Sequence, residues 1–375
     1  MRIAILGGGQ LAKMTATAAA QLGIETLIWA DQEGTPASQA CTQTVVGRLD
    51  DPAIQAQIVQ GSDVITLESE FIPARTLEDL SAQGGKVLPF FDSVAVVQDK
   101  WTQKSRLLSY QLAVASGRAI DNLPVAYEAG RQLGYPLVVK TRRLGYDGHG
   151  TFLADDPKQL EELWHRLEPA PEYLLAEQHI PFVRELSVIV TRGLDDQVVS
   201  YPVVETRQPR FVCEEVLAPA ALPERVSIDA RALAEGAARA LNLVGTLAVE
   251  MFLLQDGKVV INEIAPRPHN SGHFSIEACQ TSQFENHVRA ILGFPLGSTA
   301  LETPAAVMVN ILGRQDGPIS PAQLADGLAV PGVHIHLYGK TLSRPVRKLG
   351  HITALGDTLQ EAQERAWAAR KALPF

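Results

Sequence analysis

The segment NEIAPRPHNSGH, residues 262–273, places a carboxylate, an arginine, two asparagines, a serine and two histidines within a dozen positions. Its two prolines stop it from continuing as an ordinary helix. Just upstream, TLAVEMFLLQDGKVVINEIAP (246–266) reads as two apolar strands joined by a hairpin turn at QDG. Glu250 lies on the first strand and Glu263 on the second. An unpaired carboxylate inside an apolar run is costly, so two that face each other call for a cation between them. Magnesium takes carboxylate oxygens and leaves positions for phosphate, and manganese shares that preference. Asn262 adds a neutral oxygen or an orienting group, although strict strand alternation sends it to the face opposite Glu263.

A second group of residues suits a nucleotide. In LVVKTRRLGYDGHG (137–150), Lys140 ends a β run and can project an ammonium toward phosphate. Gly145, Gly148 and Gly150 then punctuate a loop that also carries Tyr146, Asp147 and His149 and leads into Thr151. Such a loop can close over a polyphosphate with backbone donors and open again. In LLAEQHI (174–180) an apolar strand turns into Glu177, Gln178, His179 and Ile180, with Glu185 soon after. An adenine needs an apolar slot and strand-edge backbone groups, and a ribose needs a carboxylate acceptor. Glu177 and Glu185 are the candidates.

Two further features are less specific. Gly7, Gly9 and Ala12 fit G-x-G-x-x-A after a strand, and Asp31 closes the second strand. That pattern fits a dinucleotide site, a helix N-terminus holding another anion, or simple close packing of strand and helix. Lys340, Arg344, Arg347 and Lys348 form a basic cluster suited to a phosphate, with Lys340 and Arg347 foremost.

The elements that must position these groups alternate along the chain. RIAILGGGQLAKMTATAAAQLGIETLIWAD reads strand, turn, helix, strand; GSDVITLESE and GGKVLPF supply further strands. This alternation predicts a parallel, doubly wound sheet ending near FFDSVAVVQDK. The helix DKWTQKSRLLSYQL opens a compact α+β lobe, and a β-rich lobe follows, closed by the helix TLQEAQERAWAARKAL. The fold class is therefore α/β with α+β, divided into residues 1–95, 96–176 and 177–375. The 375 residues are 46% hydrophobic with a net charge of −9, which argues against a general nucleic-acid binder. Cys41, Cys213 and Cys279 have no paired spacing, so neither a disulfide framework nor a zinc cluster is expected. No signal peptide or membrane span is legible, and a cytoplasmic protein is the expectation.

Together the segments resemble the ATP-grasp superfamily and, within it, the N5-carboxyaminoimidazole ribonucleotide synthetases, ATP- and bicarbonate-dependent ligases of purine biosynthesis. The likeness runs nearly end to end, carried by GGGQLAKM (7–14), DKWTQK (99–104), GYDGHG (145–150), EQHIPFVRELSVI (177–189), NEIAPRPHNSGH (262–273) and SQFENHVRAILGFPL (282–296). It implies an ATP-grasp fold with a Rossmann-like N-terminal domain, a small lid lobe and a larger C-terminal lobe. It also implies ATP and magnesium as cofactors, aminoimidazole ribonucleotide and bicarbonate as substrates, and a homodimer without nucleic-acid or membrane partners.

The resemblance assigns roles residue by residue. Lys100 and Lys140 would contact ATP phosphates, residues 145–151 would close over them, and Glu177 to Ile180 with Glu185 would hold adenosine. Glu250 and Glu263 would bind the metal beside Asn262. Arg267, His269 and Asn270 would face bicarbonate, carboxyphosphate and the ribonucleotide, with Gln10, Leu11 and Tyr146 also at the substrate. Lys340 and Arg347 would hold its phosphate. Gln208 stands where some members carry a histidine near the nucleotide. The proton acceptor stays open among His269, His273, Asp147 and the departing phosphate. Other ATP-grasp ligases, such as formate-dependent glycinamide ribonucleotide transformylases, would share the nucleotide residues. A nicotinamide-dependent oxidoreductase would leave the carboxylate pair without a purpose.

Overall fold

The structure, a computed structural model, describes residues 1–145, 150–167 and 174–375. Strands β1 (Arg2–Leu6), β2 (Glu25–Ala30), β3 (Gln43–Val46) and β4 (Val64–Leu67) form a parallel sheet in the order β3-β2-β1-β4. Ile3 to Leu6 and Val64 to Leu67 are buried, as strands covered on both faces should be. The helix Gln10–Gln21 packs on this sheet through Ala12, Ala16 and Ala19, small side chains that permit close approach. GGKVLPF contributes a single bridge, Val87 to Ile65, rather than the further strand that its composition predicts. Pro89 follows at once and has no N–H to offer a ladder.

Strands β5 (Gly117–Ile120), β6 (Leu137–Thr141), β7 (Thr151–Ala154) and β8 (Leu174–Gln178) make an antiparallel sheet ordered β5-β8-β6-β7. The helix Pro157–Leu167 lies on it through Leu160, Leu163 and Trp164, one face at helical spacing. β8 keeps pairing with β6 through Gln178, two residues past the lobe boundary expected at 176.

The third sheet contains β9 (Phe182–Arg192), β10 (Val198–Ser200), β11 (Val204–Arg207), β12 (Glu215–Ala218), β13 (Gly245–Leu254), β14 (Val259–Ala265) and β15 (Ala305–Leu312), then strands Lys348–Gly356 and Val333–Leu337. β13 and β14 form the expected hairpin, turning at Gly257 with φ +83°. The helix Gln283–Leu292 joins this lobe to the first sheet, because Val288 and Ile291 share a core with Ile3, Ile5 and Ile28. His287 pins the junction: its Nδ1 accepts the Thr246 N–H at 3.0 Å and its Nε2 lies 3.0 Å from Thr66 Oγ1. Among the described residues no helix is long and apolar enough to cross a membrane. Among the described residues Cys41, Cys213 and Cys279 form no disulfide, and Cys213 and Cys279 are buried.

Candidate active site

The small and large lobes enclose a cavity of about 400 Å³. Lys140 of β6, Glu177 and Gln178 at the end of β8 with His179 and Ile180 beyond it, Glu185 of β9, Glu250 of β13 and Asn262 and Glu263 of β14 all line it. Arg267, His269 and Asn270 line its far end, so the nucleotide residues and NEIAPRPHNSGH share one space.

The lysines are placed by a latch between two elements. Asp99 caps the helix Lys100–Ser109 by accepting the Trp101 and Thr102 N–H groups at 3.0 and 3.1 Å. The same carboxylate takes two bonds from Arg142, at 3.0 and 2.7 Å, and the Lys100 N–H donates to the Arg142 carbonyl at 2.9 Å. The helix start is thereby tied to the end of β6, which carries Lys140. Lys100 forms an ion pair with Glu263. Lys140 Nζ lies 2.7 Å from Glu177 Oε2 and donates to Asn262 Oδ1 at 3.1 Å.

Glu177 differs from its expected role. Its side chain is buried, and its other oxygen sits 2.7 Å from Lys104 Nζ. Burial by itself would raise this carboxyl, but Lys140 and Lys104 outweigh it and hold the pKa at about 2. Both oxygens are engaged by lysines, so the side chain holds cations rather than a ribose hydroxyl. Of the two ribose candidates, Glu185 is the one without an ion pair among the described residues, and burial raises its pKa. Lys104 escaped the sequence reading, although its place four residues after Lys100 in DKWTQK puts both lysines on one helix face.

The carboxylate pair is in register: Glu250 lies opposite Glu263. Beyond that pair the ladder slips, because Met251 lies opposite Ile261. Asn262 is thus the extra residue of a β-bulge, and Asn262 and Glu263 together oppose Glu250. This corrects the strict alternation, since both side chains line the same cavity. The Ile261 N–H is diverted to the Ala113 carbonyl at 2.8 Å. Burial first, then Glu263 and Glu185, push the Glu250 carboxyl up to about 7. That excess of negative charge suits a divalent cation. Among the described residues no group of three or more His, Cys, Asp or Glu side chains could hold a metal. The donor set is therefore two carboxylates with the Asn262 oxygen beside them, which fits magnesium completing its shell from water and phosphate.

At the far end Arg267 grips Glu70 with both arms of its guanidinium, Nη2 donating to Oε1 at 2.9 Å and Nε donating to Oε2. Burial opposes both charges, yet Arg267 holds the Glu70 pKa down and Glu70 holds that of Arg267 up. Glu68, two residues earlier, turns toward the glycine loop and accepts the Gly9 N–H at 2.6 Å and the Leu11 N–H at 3.2 Å. A Cβ on Gly7 or Gly9 would lie 2.5 or 2.1 Å from Glu68 oxygens, and one on Gly8 would strike Thr35. The glycines therefore make room for the chain's own carboxylate, which occupies the helix N-terminus that a dinucleotide would need. Asp31 is exposed, and the Leu11 side chain packs against Phe284. Glu68 and Glu70 went unnoticed in the sequence because LESE reads only as the end of a strand.

Other expected residues divide. His273 is corrected: it is 1% exposed, held by Gln283 at 3.1 Å and packed against Phe284, Tyr338 and His351, with burial lowering its pKa to about 3. It does not reach the cavity. His269 does, with Nδ1 2.9 Å from Ser271 Oγ, and burial followed by Arg267 and Lys348 holds its pKa well below the imidazole range. The Asn270 amide exchanges two bonds with Asn310, at 2.9 and 2.6 Å. Gln10 is half-buried at the start of the first helix. Gln208 lines the cavity, its amide donating to Thr206 Oγ1 at 3.3 Å. Lys340 Nζ donates to the Lys348 carbonyl at 2.6 Å and Arg347 to the Leu342 carbonyl at 2.8 Å; within that segment only Lys348 lines the cavity. Gly145 and Thr151, at the two ends of the expected lid segment, line the cavity, and Gly150, at φ +82°, bonds through its carbonyl to the Thr141 N–H. Tyr146, Asp147, Gly148 and His149 lie outside the described residues.

Known proteins fit this arrangement along the whole chain. Residues 1–98 match the ribonucleotide synthetase preATP-grasp domain, 105–284 the ATP-grasp domain, and 306–365 the phosphoribosylaminoimidazole carboxylase C-terminal domain. An N5-carboxyaminoimidazole ribonucleotide synthase of Synechococcus elongatus is 41% identical over 352 residues, 94% of this chain and 88% of that protein. An N5-carboxyaminoimidazole ribonucleotide synthetase solved as its ADP complex superposes with a TM-score of 0.91 at 36% identity, covering 98% of this chain and 96% of that one. The Aspergillus clavatus enzyme in complex with ADP and 5-aminoimidazole ribonucleotide gives 0.89 at 34% identity, covering 99% and 98%. With three consecutive family matches and a relative this similar over nearly its full length, the chain belongs to the N5-carboxyaminoimidazole ribonucleotide synthase family of ATP-grasp ligases.

Proposed function

We infer that the chain carboxylates 5-aminoimidazole ribonucleotide to its N5-carboxy derivative in purine biosynthesis, using ATP and bicarbonate and releasing ADP and phosphate. One observation carries the reading. The lysines and paired carboxylates suited to ATP line the same cavity as Arg267, His269 and Asn270. Bicarbonate is a poor electrophile, and phosphoryl transfer from ATP turns it into carboxyphosphate. Bringing two anions together makes cations the main requirement. Lys100 and Lys140 offset charge on the ATP phosphates, and Arg267, anchored by Glu70, meets the carboxyphosphate. Magnesium held by Glu250 and Glu263 would neutralise charge on the phosphates being transferred. Glu185 accepts from the ribose, and the backbone at Gln178 to Ile180 serves the adenine. Residues 145–151 shield carboxyphosphate from water.

With His273 buried away from the cavity, the amine proton has three candidate acceptors: His269, Asp147, which lies outside the described residues, and the departing phosphate. His269 is neutral, but a lowered pKa makes it a weak base. That disfavours His269 and leaves Asp147 and the phosphate leaving carboxyphosphate as the acceptors. The family also supports a homodimer working in the cytoplasm, and the three sheets support division near residues 95 and 178.

The direct test is ADP release with Mg-ATP and bicarbonate, with and without aminoimidazole ribonucleotide. Release that depends on the ribonucleotide is expected. Release with formate and glycinamide ribonucleotide instead would move the chain to the transformylases.

Lys340 and Arg347 are read as the ribonucleotide phosphate site. Lys340→Ala is then expected to raise the KM for the ribonucleotide by about tenfold or more, with that for ATP nearly unchanged. Equal effects on both would count against the assignment. Burial, then Arg347, lowers the Lys340 pKa to about 8. Its charge is present below that pH and lost above it, so ribonucleotide KM should rise from about pH 8 upward in the wild type and stay flatter in Lys340→Ala.

A further inference from the structure

Lys104 is a buried lysine, 4% exposed, that does not line the nucleotide cavity. Its ammonium donates to the Ala115 carbonyl at 2.6 Å and pairs with Glu177 at 2.7 Å. Burying a lysine this deeply is costly, and burial lowers its pKa, with Glu177 opposing. Glu177 lies between Lys104 and Lys140, one oxygen to each. Lys140 in turn donates to Asn262, the bulged residue beside Glu263. A chain of contacts therefore runs from the helix Lys100–Ser109 to the carboxylate hairpin.

Counting charges shows what the second lysine adds. A Glu177–Lys140 pair alone would fix the lysine but cancel its charge. With Lys104 included, two cations share one carboxylate, and the group keeps a net positive charge next to the phosphates. We propose that Lys104 is a positioning residue that lets Glu177 fix Lys140 without neutralising it. This rests on the reading of the cavity as the ATP site.

The test is calorimetric binding of Mg-ADP to the full chain, with thermal unfolding of each protein as the control for folding. Lys104→Met should weaken Mg-ADP by at least about tenfold, because a nearby charge is removed at low dielectric. Lys104→Met with Glu177→Gln leaves Lys140 as the cation and buries no unpaired carboxylate. It loses the contact that fixes Lys140 but regains the net positive charge, so it should bind Mg-ADP at least about threefold more tightly than Lys104→Met. A purely structural Lys104 would give the opposite order, since the double variant loses more contacts than the single one. A double variant that binds no better than Lys104→Met, or a Lys104→Met that binds like the wild type, overturns the proposal. Should Lys104→Met not fold, Glu177→Gln alone takes its place: with Lys104 still charged it should bind Mg-ADP at least about threefold more tightly than the double variant, and equal binding overturns the proposal. A wild type that binds no Mg-ADP would instead bring down the ATP reading on which the proposal stands.

Discussion

Glu263→Gln is expected to reduce ATP turnover by at least about a thousandfold while leaving the fold intact. The substitution keeps the size of the side chain and removes its charge. Glu263 faces Glu250 across the β13–β14 ladder and pairs with Lys100, so it stands where the proposed metal and phosphate sites meet. A neutral amide would leave Glu250 as the single carboxylate for a divalent cation and would release Lys100 from its anchor. The fold should tolerate the change because the Glu263 side chain is 39% exposed and contributes little to the core. Steady-state ADP release and thermal unfolding check the two halves separately. Full activity in this variant would refute the metal assignment. Lost activity together with a collapsed melting transition would mean that Glu263 is structural instead.

Arg267→Lys is expected to lower turnover by about a hundredfold, mostly in kcat, even though the charge is preserved. Arg267 holds Glu70 through two nitrogens, and the fork fixes the guanidinium plane. Pro266 and Pro268 flank it, limiting the backbone freedom that could compensate. Lysine offers one ammonium on a flexible stem and cannot bond both Glu70 oxygens in that geometry. The cation would remain while its orientation toward carboxyphosphate is lost. Kinetics at saturating ATP, bicarbonate and ribonucleotide, with ADP and carboxylated product both measured, should show the drop. An uncoupling of ADP release from carboxylation would locate the defect at carboxyphosphate. Activity within threefold of the wild type would show that the fork is dispensable.

Both predictions draw on residues that were legible in the sequence and on contacts that were not. Lys140, Glu185, Glu250 and Glu263 stand out because a charge that interrupts an apolar strand is a local signal. The first sheet was legible for the same reason, its buried strands being nearly unbroken apolar runs. The bulge at Asn262 was not, because alternation assumes a regular ladder and the slip depends on how β14 meets β13 and Ala113. His273 shares a polar segment with His269, yet one is packed beneath Phe284 and Tyr338 while the other reaches the cavity.

The front glycine loop shows the division most clearly. Gly7, Gly9 and Ala12 are compatible with a dinucleotide, another anion or close packing, and nothing within that segment chooses among them. Glu68, arriving just after β4, chooses by filling the space over Gly7 and Gly9 and taking the Gly9 and Leu11 N–H groups. Residue types and their local periodicity marked the buried strands of the first sheet and the carboxylate hairpin, and the resemblance of whole segments pointed to the family. Tertiary structure decided which charges face each other: Glu177 between Lys104 and Lys140, Glu70 on Arg267 and Lys100 on Glu263. Those pairings join segments far apart in the chain, and their energies depend on burial and distance, which exist only once the lobes have closed on one another.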